Sequence, residues 1–83
     1  MNIKYFKTPH FYLAAFLCAK GMNLTGIDRT DPRRCQFIFK DTPQREKLVE
    51  AFNFAPVDSE PALVDARKLI TAVKQLKDKL YQG

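Results

Sequence analysis

Eighty-three residues make one domain's worth of chain, with room for a modest core only. A hydrophobic fraction of 46%, with seven Phe and three Tyr, excludes a disordered chain, and no repeat or low-complexity stretch points to a solenoid. The formal charge of +5 permits long-range attraction to phosphates or acidic proteins, but nucleic-acid binding needs that charge focused on one face.

Residues 3–6, IKYF, are β-prone and suggest a short N-terminal strand. Thr8-Pro9 then reads as a helix start. A Thr hydroxyl can accept an orphan N–H of the first turn, and proline at the first helical position has no N–H to lose. The spacing predicts a helix from Pro9 to about Lys20, ended by Gly21 in a left-handed conformation, with Met22 folding back. Phe11, Tyr12, Leu13, Phe16, Leu17 and Cys18 leave this helix no polar face, so it must be buried on more than one side, at the centre of the fold or against a partner chain. Lys4 and Lys7 ahead of the apolar run imitate a signal peptide. Pro9 and His10 interrupt the approach, Leu17 stands where a cleavage site wants a small residue, and the run is too short to span a bilayer. The expectation is a soluble cytoplasmic protein with no membrane contact.

Residues 23–30 and 34–40 read as two antiparallel strands joined by a turn at Asp31-Pro32-Arg33. In the second strand Cys35, Phe37 and Phe39 alternate with Gln36, Ile38 and Lys40, giving one apolar and one mixed face. Gly26 marks a bulge or a close backbone approach. Asp41-Thr42-Pro43 repeats the Thr-Pro logic and starts a second helix, buried through Leu48, Val49, Ala51 and Phe52 and ending near Asn53 or Phe54. After a loop over 55–60, a third helix is expected from Asp58 or Ser59 to about Tyr81, with Pro61 in its first turn. Ala62, Ala66, Leu69, Val73, Leu76 and Leu80 form a seam along it, and Leu63 and Ile70 widen that seam. The whole is a single α+β domain, 1–83, of order β-α-β-β-α-α: a small antiparallel sheet, built on a β-hairpin with a short N-terminal strand, packed against three helices.

Catalytic and cofactor signals are absent from this pattern. His10 stands alone at a helix start, and no phosphate loop, dinucleotide fingerprint or metal motif occurs, so neither an enzyme nor a cofactor is expected. Cys18 and Cys35 read as free thiols, with one helix-to-strand disulfide as the alternative. The most concentrated basic feature is the hairpin tip, Arg29, Arg33 and Arg34, with Lys40 further along the strand. The last helix adds Arg67, Lys68, Lys74, Lys77 and Lys79. A non-enzymatic module binding DNA or RNA through Arg29, Arg33, Arg34, Lys40, Lys74 and Lys77 is the leading expectation. The alternative is a protein-interaction or homodimerisation module acting as an accessory subunit, suggested by the apolar first helix and the long amphipathic last one.

A Thr-Pro helix containing YLAAFL, a Gly stop, the strand LTGI, the run FIFKDTP and the terminal LKDKLY together resemble a family of short uncharacterised bacterial proteins, catalogued as a domain of unknown function. The resemblance covers nearly the whole chain and implies fold and size, with no catalytic residues to carry over. RRCQFIFKD is also weakly similar to the third strand of an RNA-recognition motif. Cys35 and Lys40 replace two of its stacking aromatics, and a helix stands in for the closing strand, so Phe37 and Phe39 are expected in the core.

Overall fold

Alternation along QFIFK organises the sheet in the computed structural model, which describes residues 3–81. The first two and last two positions of the expected 1–83 domain lie outside the described residues. Strand β3 (Gln36–Lys40) lies between β1 (Tyr5–Thr8) and β2 (Leu24–Asp28), antiparallel to both. Register places Phe6 and Leu24 beside Phe39, and Thr8 and Ile27 beside Phe37, so one face of the sheet is apolar. Phe37 and Phe39 are buried on that face, as the alternation predicts. Tyr5, Lys7 and Lys40 occupy the other face and are exposed, flanking the half-buried Gln36 and Ile38. The pairing slips between Leu24 and Gly26, which is the bulge that Gly26 announces.

Helix α1 (Phe11–Ala19) fills the middle, with Leu13, Ala14, Ala15, Phe16 and Leu17 buried in succession. Its Phe11 ring meets Phe37 of β3 edge-on at 6.0 Å, and Phe16 meets Phe52 of α2 (Arg45–Phe54) at 5.3 Å. Helix α3 (Ala66–Tyr81) packs on α1 through Ala72 and Leu76, with Leu69, Val73 and Leu80 alongside. The three helices and the apolar face of the sheet share one core, with Arg45 of α2 stacked over the Phe6 ring of β1 at 4.5 Å, an α+β arrangement. The end of α1 follows the sequence closely. Gly21 takes φ +100°, its N–H bonds the Cys18 carbonyl, and the Met22 N–H bonds the Leu17 carbonyl, both at 3.0 Å. That bond pair closes the last turn and turns Met22 into the core.

Three junctions differ from expectation. Thr8 does not cap α1. Its pairing opposite Phe37 extends β1 to Thr8, two residues past IKYF, so its hydroxyl accepts the His10 N–H at 3.2 Å and the helix begins only at Phe11. Thr42 does not cap α2 either, and its buried hydroxyl has no hydrogen-bond partner. Asp41 organises that junction instead, accepting the Thr42 N–H at 2.9 Å and the Arg45 guanidinium at 3.1 Å. The third helix is broken. A single 3-10 turn, Glu60–Ala62, holds Pro61, and α3 proper starts after Asp65. The Asp65 carboxylate accepts the Lys68 N–H at 3.0 Å, so it is the effective cap. Ala62 and Ala66 thereby drop out of the seam and Ala72 enters it.

Candidate nucleic-acid interface

The loop Arg29–Cys35 joins β2 to β3 and carries the arginine cluster. Two local devices shape it. Asp28 accepts the N–H and the hydroxyl of Thr30, and Asp31 accepts the Arg33 N–H at 2.9 Å, while the Arg34 N–H bonds the Asp31 carbonyl at 3.0 Å. Pro32 is thus the second residue of a β-turn, where its fixed φ fits. The Thr30 bonds hold the Asp28 carboxyl far below the usual carboxylate range, aided by the Lys7 ammonium at 2.9 Å. Lys7 and Asp28 sit on the two edge strands, so their ion pair crosses the sheet's open face over β3. Both acids of the cluster are therefore engaged within the loop and sheet.

Arg29 links this loop to the far end of the chain. Its Nη2 donates to the carbonyl oxygens of Lys79 at 2.7 Å and Leu80 at 3.2 Å, the last turn of α3. Those carbonyls are the helix end's unsatisfied acceptors and the negative pole of its dipole. Arg29 is thereby a structural clasp between the hairpin loop and α3. It brings Arg33 and Arg34, both exposed, to the end of the molecule that holds the Lys77–Leu80 turn. An open groove of ≈ 360 Å³ there is lined by Pro9, His10, Phe11, Arg33, Arg34 and Leu80, among others.

The six expected site residues fall into three groups. Arg29 is engaged with α3. Arg33 and Arg34 lie with the C-terminal turns of α3, where Lys77 is exposed and Lys74 stands one turn earlier. Lys40 is at the opposite end of β3, roughly 15 Å along the strand, beside Tyr5 on the open face. Sequence reading left out His10 and Phe11 as groove neighbours of the arginines. The only local hint was that the Thr-Pro junction had to lie at one end of the sheet.

Charge is distributed unevenly. Residues 41–65 hold Asp41, Glu46, Glu50, Asp58, Glu60 and Asp65 against Arg45 and Lys47 alone. The sheet, its loops and α3 consequently carry the excess positive charge. Cys18 on α1 lines a separate groove with Arg67, Lys68 and Gln75, and burial pushes its thiol up despite the nearby Lys79. Cys35 lines the arginine groove, and both thiols are free. Among the described residues, no cluster of His, Cys, Asp or Glu could hold a metal ion, and no helix is long and apolar enough to cross a membrane.

No curated protein and no solved structure matches the chain. The model of one family matches residues 3–82, and the chain belongs to that family, the domain of unknown function DUF5659.

Proposed function

We propose that this protein is a small, cytoplasmic, non-enzymatic module that binds the phosphate backbone of nucleic acid through its basic end, formed by the hairpin loop and the last turns of α3. Support comes from the Arg29 clasp, which sets the Arg33–Arg34 turn against the helix end carrying Lys77 and Lys79. The local acids favour the same reading, because Asp28 and Asp31 are already hydrogen-bonded within the loop. The loop is tied down rather than protruding, so contact with phosphates is favoured over insertion of a ribbon into a groove. Binding is then largely independent of base sequence and driven by counterion release.

Four phosphates engaged by Arg33, Arg34, Lys77 and Lys79 would give a slope of log affinity against log salt of roughly −3.6 on duplex DNA, so affinity falls about a hundredfold between 50 and 200 mM salt. Fluorescence anisotropy with duplex and single-stranded DNA and RNA measures this. The variant Arg33→Ala with Arg34→Ala should weaken binding and flatten the slope by about 1.8. Absence of binding to all four polymers at low salt and high micromolar protein would end this reading. A protein-interaction role is a second reading, favoured by an apolar groove on the helical side.

A further inference from the structure

Tyr12 belongs to the central helix yet is 73% exposed. It opens onto a groove of ≈ 440 Å³ between α1, α2, the 3-10 turn and α3, lined mainly by apolar side chains that include Phe52, Val57, Leu63 and Leu69. Val57 is 90% exposed and Leu63 53%, and Ile70, next to Leu69, is 55% exposed. The turn before the 3-10 segment enforces part of this exposure. Ser59 donates its N–H and its hydroxyl to the Pro56 carbonyl, and Asp58 adopts φ 69°, a left-handed conformation that non-glycine residues take at some cost. Large apolar side chains gathered around one groove mark an interaction surface.

Charge is ordered along the same surface. Asp58, Glu60 and Asp65 lie at the N-terminal approach to α3. Beyond Ile70, Lys74 and Lys77 follow on the same flank of the helix, within about 40° of it at ~100° per residue. We propose that the occupant of this groove is a second copy of the chain, with the two α3 helices antiparallel about a two-fold axis near Ile70. Such an axis sets each patch against itself. Within the helices, residues equidistant from Ile70 face each other, so Lys74 of one copy falls opposite Ala66 of the other, next to Asp65, and Lys77 reaches past the helix start to the segment that carries Glu60 and Asp65. Apolar side chains then meet at the centre and unlike charges at both ends. The exposed parts of Tyr12, Phe52, Val57, Leu63 and Ile70 amount to roughly 500 Å², more than half of the ~800 Å² each partner contributes to a standard interface. Arg33 and Arg34 line a different groove, so pairing leaves these two open and presents them twice, while Lys77 is taken up in the contact and no longer serves a phosphate. The pairing does not depend on nucleic-acid binding.

Sedimentation equilibrium of the full chain from low to high micromolar concentration tests this. The expected result is a mass twice the 9.6 kDa of one chain, with Ile70→Lys and Tyr12→Ala each raising the dimer dissociation constant about tenfold or more. Both side chains are exposed, and circular dichroism checks that the variants remain folded. Lys77→Glu should also weaken the dimer, and adding Glu60→Lys should restore it, a recovery that general damage to the fold would not produce. A monomeric mass at high micromolar concentration overturns the proposal, whether or not an amphipathic helical peptide then binds the groove. So does a dimer that Ile70→Lys and Tyr12→Ala leave unchanged, because the contact would then lie elsewhere, such as the open face of the sheet.

Discussion

Replacing Arg29 by alanine should cost this protein stability, whereas replacing its neighbour Arg33 should not. Arg29 Nη2 satisfies the Lys79 and Leu80 carbonyls at 2.7 and 3.2 Å. A hydrogen bond from a charged donor contributes about 1.5–3 kcal/mol when sheltered, and a cation at a helix C-terminus about 0.3–1 kcal/mol at the surface. Arg29 is exposed, so solvent competes for both effects, and a net loss of about 1.5 kcal/mol is the reasonable expectation. For a domain of this size each kcal/mol lowers the melting temperature by roughly 4–8 °C, so Arg29→Ala should melt about 6–12 °C lower. Arg33→Ala should stay within about 0.5 kcal/mol, as a surface change. Urea and thermal unfolding followed by circular dichroism supply the comparison. Arg29→Lys should fall between wild type and alanine, because it keeps the charge near the helix end and loses the planar fork. An Arg29→Ala melt within about 2 °C of wild type, or an equal loss at Arg33→Ala, would refute the clasp. Well below its melting point, Arg29→Ala should weaken nucleic-acid binding less than Arg33→Ala with Arg34→Ala does, because it keeps both phosphate-contacting arginines.

Leu76 is fully buried between α3 and α1. Leu76→Ala should therefore cost about 3 kcal/mol, read as a lower urea midpoint at unchanged slope. Thr42→Val should raise stability by about 1 kcal/mol in the same assay, because it replaces a buried hydroxyl without a partner by a methyl group of like size. Acid should destabilise the fold in a definite window. Hydrogen bonds from Thr30 and from Arg45 hold the Asp28 and Asp41 carboxyls below their ordinary values. Their contribution is thus complete above the unfolded carboxylate range near pH 4 and is lost as pH falls through the lower folded values. The double variant Asp28→Asn, Asp41→Asn should show a flatter decline in melting temperature below about pH 4.

Local structure was legible in the amino-acid sequence. The alternation in QFIFK fixed which face of β3 is buried, because successive strand side chains point to opposite faces. The unbroken apolar run 11–19 could only be a helix enclosed on several sides, and Gly21-Met22 could only be its stop. Each of these rests on interactions within a few residues. The helix starts were less legible because capping depends on where neighbouring structure ends. Thr8 had the right chemistry for a cap, and pairing with Phe37 drew it into the sheet instead. Asp58, Ser59 and Asp65 all had capping side chains, and only the packing of α3 on α1 selected Asp65.

Sequence also singled out the arginine cluster, but the fold alone divided it. Arg29 meets carbonyls 50 and 51 positions away, and that pairing converts one member of a basic cluster into a clasp. Lys40 left the cluster because an extended strand moves about 3.3 Å per residue away from the loop. Tyr12 looked like core in an apolar run, and the gap between α2 and α3 left it at the mouth of a groove. Propensity and periodicity act over one or two turns of chain. Which charges converge and which apolar faces remain uncovered is decided by contacts between elements distant in sequence, and those exist only once the layers have packed.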